Sequence, residues 1–121
     1  MPKAKTVFVK TVKGPEALPD PGNAGAISVG TKILGYVPLV TAGAETRTLA
    51  APTVIGQELL LYCKTFVGNC VVTCATTVNE AGNNTITFTA TGQACKLTAV
   101  EEGANIRWRL GSVDGAALCT V

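Results

Sequence analysis

The chain has 121 residues; 47% are apolar but only 5% aromatic, and charged residues make up 15%, against about 25% in ordinary globular domains. A net charge of +2 is too small to mark a nucleic-acid binder, and the lack of any histidine removes Ser-His and Cys-His catalytic pairs and the commonest metal ligand. A single domain of this size buries roughly two-thirds of its unfolded surface, so it needs neither disulfides nor a structural metal. Sparse charge, abundant alanine and valine and a positive mean hydropathy suit a subunit that buries surface against others.

Residues 3–13 (KAKTVFVKTVK) are β-branched and aromatic and predict a first strand. Lys3, Lys5, Lys10 and Lys13 place it at an edge, or make it a basic arm for an acidic partner surface. Residues 14–25 hold three prolines and three glycines, which excludes helix and central strand. We therefore expect residues 1–25 to be a strand and an extended Pro/Gly-rich arm reaching beyond a β domain of residues 26–121.

In that domain, residues 26–29 form a short apolar patch, and residues 33–40 predict a strand that Pro38 confines to an edge or a bulge. Residues 41–45 turn, residues 46–50 alternate, and Pro52 and Gly56 bracket a loop. Residues 58–64 predict a strand that is apolar on both faces, hence central. Residues 66–69 predict a hairpin turn around Gly68-Asn69, with residues 70–75 as the partner strand. After a turn at residues 79–84, residues 85–91 alternate with Ile86, Phe88 and Ala90 inward. Residues 94–101 place Cys95, Leu97 and Ala99 on one face. A turn at residues 101–105 leads into residues 106–110, with Ile106, Trp108 and Leu110 on one face and Arg107 and Arg109 on the other. Asp114-Gly115 signals a hairpin into residues 116–121. Short strands at this spacing predict an all-β fold, a single β-sandwich or barrel-like domain.

Candidates for chemistry are few. The cysteines (Cys63, Cys70, Cys74, Cys95, Cys119) are odd in number, and the start MPKAK has no apolar stretch after it, so they read as reduced core residues of a cytosolic product. Only Cys70 and Cys74 have zinc-knuckle spacing, on a strand and without a second pair, so no metal is expected. Residues 25–32 nearly spell a phosphate-binding loop, but a strand-like segment follows where the cradle needs a helix N-terminus. No run approaches the roughly 18 apolar residues of a membrane-spanning helix. Glu101-Glu102 reads as a solvated turn, and Trp108 as a core residue flanked by solvent-facing Arg107 and Arg109.

Residues 41–61 (TAGAETRTLAAPTVIGQELLL), 79–100 (NEAGNNTITFTATGQACKLTAV) and 103–110 (GANIRWRL) together resemble small virion proteins of tailed phages, namely head decoration (cement) proteins and related head-fibre domains. The resemblance covers about residues 41–118. It implies a non-enzymatic β domain without cofactors, commonly a homotrimer, that binds between neighbouring major capsid subunits and stabilises the mature head. It also implies a location on the capsid surface after synthesis in a bacterial cytoplasm, with neither nucleic acid nor membrane as partner. The alternative is a head-fibre or tail adhesin domain binding host glycans, with Trp108 at its site. The expected capsid or subunit contacts are Lys3, Lys5, Lys10, Lys13, Glu45, Arg47, Arg107 and Arg109, with pairing of Glu45 to Arg47 across their turn as the plainer reading of those two.

Overall fold

The computed structural model describes residues 16–30 and 33–119. The strand expected over residues 3–13, with Lys3, Lys5, Lys10 and Lys13, lies outside them.

The described chain is all-β, in two five-stranded sheets whose inward side chains form one core. The strands are β1 (Glu16–Ala17), β2 (Gly25–Ile27), β3 (Leu34–Val40), β4 (Glu45–Leu49), β5 (Glu58–Thr65), β6 (Cys70–Cys74), β7 (Thr85–Phe88), β8 (Ala94–Glu102), β9 (Asn105–Asp114) and β10 (Ala117–Cys119). Sheet A has the order β1-β3-β5-β8-β9 and sheet B the order β10-β7-β6-β4-β2, and neither closes into a barrel. Along the first six strands the chain changes sheet at every connection. Successive strands of one sheet are therefore parallel: β1, β3 and β5 in sheet A, and β2, β4 and β6 in sheet B. The rest of the chain adds antiparallel pairs, with two hairpins, β6–β7 and β8–β9.

This winding corrects two expectations. Residues 66–69 are not a hairpin turn, because β5 and β6 lie in different sheets. Four residues at about 3.3 Å each can span the roughly 10 Å between packed sheets as readily as they reverse within one. Gly68 is needed there: a Cβ at this position would sit 2.3 Å from the Gly43 carbonyl carbon of the neighbouring crossover. Likewise Gly115 (φ 81°) carries the chain from β9 in sheet A to β10 in sheet B and does not close a hairpin.

The Pro/Gly-rich stretch is also part of the body from residue 16 onward. β1 and β2 are the short edge strands of the two sheets, and Leu18 and Ile27 are core residues. No arm reaches outward over residues 16–25. Pro38 is tolerated within β3 because β1 ends at Ala17, so its missing N–H faces the uncovered side, where Leu18 and Asp20 meet Tyr36 and Val40.

Strand β5 is central in sheet A but buried on one face only. Leu59, Leu61 and Cys63 are fully buried, whereas Leu60 is 38% exposed. Opposite them lie Leu49, Val72, Ile86 and Phe88 of sheet B. Ala90, expected inward, is exposed beyond the end of β7. Trp108 is 1% exposed, and its indole N–H donates to the Ala50 carbonyl at 2.9 Å, tying β9 to the loop after β4.

Candidate interaction surfaces

Four polar side chains within residues 41–57 organise the crossovers. Thr41 Oγ1 donates to the Gly68 carbonyl (2.8 Å) and accepts from the Val67 and Gly68 N–H groups (3.1 and 3.2 Å), holding the β5–β6 crossover against the end of β3. Gln57 is fully buried: its Oε1 accepts from the Thr53 and Val54 N–H groups, and its Nε2 donates to the Gly30 carbonyl at 2.8 Å. Glu45 Oε2 accepts the Ala42 N–H at 2.8 Å and so closes the turn before β4.

Arg47 is the fourth, and it corrects an expected contact. Its side chain is 0% exposed, because Arg47 shares the core-facing side of β4 with Leu49. Its Nε donates to Asp20 Oδ1 at 2.7 Å and its Nη2 to Asp20 Oδ2 at 3.0 Å, a bidentate pair. The same Nη2 donates to the Val40 carbonyl at 3.0 Å, and the Val40 N–H donates to Asp20 Oδ2 at 3.0 Å. Asp20 and Arg47 thus satisfy both backbone groups of Val40 where β1 no longer covers β3. Glu45 Oε1 adds a contact to Nη1 at 3.0 Å, so the pairing of Glu45 with Arg47 is present, but inside the fold. Burial alone would raise the Asp20 carboxyl. Hydrogen bonds from Arg47 and from the Val40 and Gly22 N–H groups outweigh it and hold the group below its usual 3.8. The hydrogen bond to Asp20 in turn raises Arg47.

Arg107 and Arg109 lie on the other side of β9 from Trp108, facing out of sheet A. Both meet the carboxylate of Glu102: Arg109 Nη2 donates to Oε2, and Arg107 Nε lies 3.4 Å from Oε1. Two guanidiniums on one carboxylate leave a surplus positive charge, and Arg109 Nη1 has no hydrogen-bond partner.

The two outer faces differ sharply. That of sheet A carries Tyr36, Leu60 and Tyr62 together with Lys64, Lys96, Arg107 and Arg109, against the acids Glu58, Glu102 and Asp114. Lys96 pairs with Glu58 at 3.1 Å. The face of sheet B presents Ala26, Thr46, Thr48, Val71, Thr73 and Thr87, with no charge among its described side chains. One shallow depression of about 350 Å³ lies there, lined by Ala26, Thr48, Leu49, Ala50, Thr73, Cys74 and Ala75. Its one titratable group, the Cys74 thiol, is pushed up by burial to about 11. Burial likewise raises Cys63, takes Cys70 to about 11 and Cys95 to about 12, so these thiols are protonated core fillers, poor as nucleophiles or ligands.

Sequence reasoning singled out neither Asp20, which lies between two prolines, nor Lys64, Lys96 and Glu102 as members of one face. The alternation of Leu59, Leu61 and Cys63 against Leu60, Tyr62 and Lys64 was the available signal for Lys64. The fold is that of an all-β, two-sheet protein in which the described cations other than Arg47 lie on the outer face of one sheet. No protein-family model matches the chain, and no curated protein matches it either.

Proposed function

We propose that this chain is a structural protein of a tailed-phage virion: a decoration, or cement, protein that binds as a homotrimer between neighbouring major capsid subunits and stabilises the mature head. The observation that supports it best is the outer face of sheet A. This flat strand surface combines tyrosine, leucine, arginine and lysine, the composition of a protein contact. The acids Asp20, Glu45, Glu58 and Glu102 are engaged by arginine or lysine, an arrangement suited to holding a shape and not to proton transfer. The resemblance over residues 41–118 points the same way. Lys3, Lys5, Lys10 and Lys13 remain proposed contacts to the capsid, as do Arg107 and Arg109, whereas Arg47 is withdrawn because its side chain is enclosed.

The test is rebinding. Capsids stripped of this chain should take it back at fixed stoichiometry and gain resistance to heat. Virions that lack it, or stripped capsids that fail to rebind it, would end this reading. The reading as a host-glycan adhesin placed Trp108 at the sugar site, and a ring that is 1% exposed offers a sugar no platform.

A further inference from the structure

At the end of the sandwich where β2 and β4 finish, residues 27–30 and 49–53 enclose a hollow of about 180 Å³. Its apolar wall is Ile27, Val29, Leu49, Ala50, Ala51 and Pro52, and no titratable side chain lines it. The two loops around it are tied together. Thr53 Oγ1 and Gln57 Nε2 donate to the Gly30 carbonyl at 3.2 and 2.8 Å, and the Ala50 carbonyl accepts the Trp108 indole N–H. The hollow is therefore preformed, and within its wall Ala50 and Ala51 are exposed.

An apolar cavity of about 150 Å³ takes up a benzene ring, so a hollow of about 180 Å³ suits one phenyl group. Five of the six aromatic side chains of the chain are placed elsewhere. Trp108 and Phe88 are core residues, Phe66 packs against that core, and Tyr36 and Tyr62 lie on the outer face of sheet A. The sixth is Phe8, in the apolar run Val7-Phe8-Val9, outside the described residues.

The segment that carries Phe8 joins the sandwich near the hollow. Glu16 is paired with Gly35 across neighbouring strands, about 4.8 Å apart, and Gly35 is five residues from Gly30 on the rim. At no more than about 3.6 Å per residue, Gly30 lies within about 23 Å of Glu16, whereas the eight residues from Phe8 to Glu16 extend to about 26 Å or more.

From this we infer that the Phe8 ring occupies the hollow of its own chain and fastens the N-terminal segment across the ends of β2 and β4. The inference holds whether or not the chain decorates a capsid.

Nuclear Overhauser contacts in the full-length chain test it. The Phe8 ring protons should contact the methyl groups of Val29, Ala50 and Ala51, and the ring current should shift those methyls upfield. Phe8→Ala should abolish the upfield shifts and leave circular dichroism unaltered, because the described core keeps all its side chains. Benzene added to the Phe8→Ala protein should move the same methyls upfield again. Isotope filtering on an equal mixture of labelled and unlabelled chains should show the Phe8 contacts within chains and none between copies. A ring without contacts to these methyls, contacts seen only between copies, methyl shifts that survive Phe8→Ala, or benzene without effect would each overturn the inference. Rebinding to stripped capsids is scored separately, so failure here does not count against the decoration reading.

Discussion

Arg47 and Arg109 both lie on β-strands beside large core residues, and both hold carboxylates, yet they contribute in different ways. Arg47 is two residues from Leu49 and therefore shares its inward side of β4, while Arg109 adjoins Trp108 and so takes the outward side of β9. Enclosed between the sheets, Arg47 has Asp20, Glu45 and two backbone carbonyls as partners, and removing it would strand a carboxylate and a strand edge. Arg109 shares Glu102 with Arg107 in contact with water, where an ion pair adds little to stability but keeps charge available to another molecule. One amino acid type is thus a fastening in one place and a solvent-facing charge in the other, and the side of the strand decides which.

The comparison can be broken in several ways. The largest effect belongs to Arg47→Ala, expected to lower unfolding free energy by about 3 kcal/mol in urea titrations, because the half-buried Asp20 carboxylate loses its partner and the enclosed guanidinium leaves a void. A loss no larger than that of Arg109→Ala would erase the distinction. Next comes Gly68→Ala, whose Cβ would collide with the Gly43 backbone and cost about 1–3 kcal/mol by the same titration.

Acid should expose the Asp20 pair selectively. Its carboxyl is depressed in the folded state, so its stabilisation is complete above the usual 3.8 and is lost as pH falls through the lower folded value. Melting temperature against pH should show this limb, and Asp20→Asn should flatten it. Alkali acts on the core thiols in the opposite sense. Raised in the folded state, they stabilise fully below their usual 9.0, and the contribution is lost as pH rises through about 11. The smallest change is expected for Glu102→Gln, under about 1 kcal/mol in stability.

Strand positions were legible because apolar alternation and Gly/Asn turns are local signals. β3 to β9 fall within a few residues of expectation, apart from extensions such as β9 running on to Asp114. Pairing was not legible. Parallel winding between two sheets is fixed by contacts distant in sequence, and Gly68-Asn69 has the same composition whether the chain reverses or crosses. Residues 41–59 stood out as a pattern in the sequence, but the work of their side chains did not. Thr41, Glu45 and Gln57 hold crossovers in place, and Arg47 needs Asp20, a residue 27 positions away among prolines. The parity of Arg47 with Leu49 was readable and points inward, whereas an exposed contact had been expected from its charge.

The most direct test is a pair of double-mutant cycles, Asp20→Asn with Arg47→Ala and Glu102→Gln with Arg109→Ala, read by equilibrium unfolding. The account predicts a coupling of at least about 2 kcal/mol for the first pair and less than about 1 kcal/mol for the second. Couplings of equal size would contradict it.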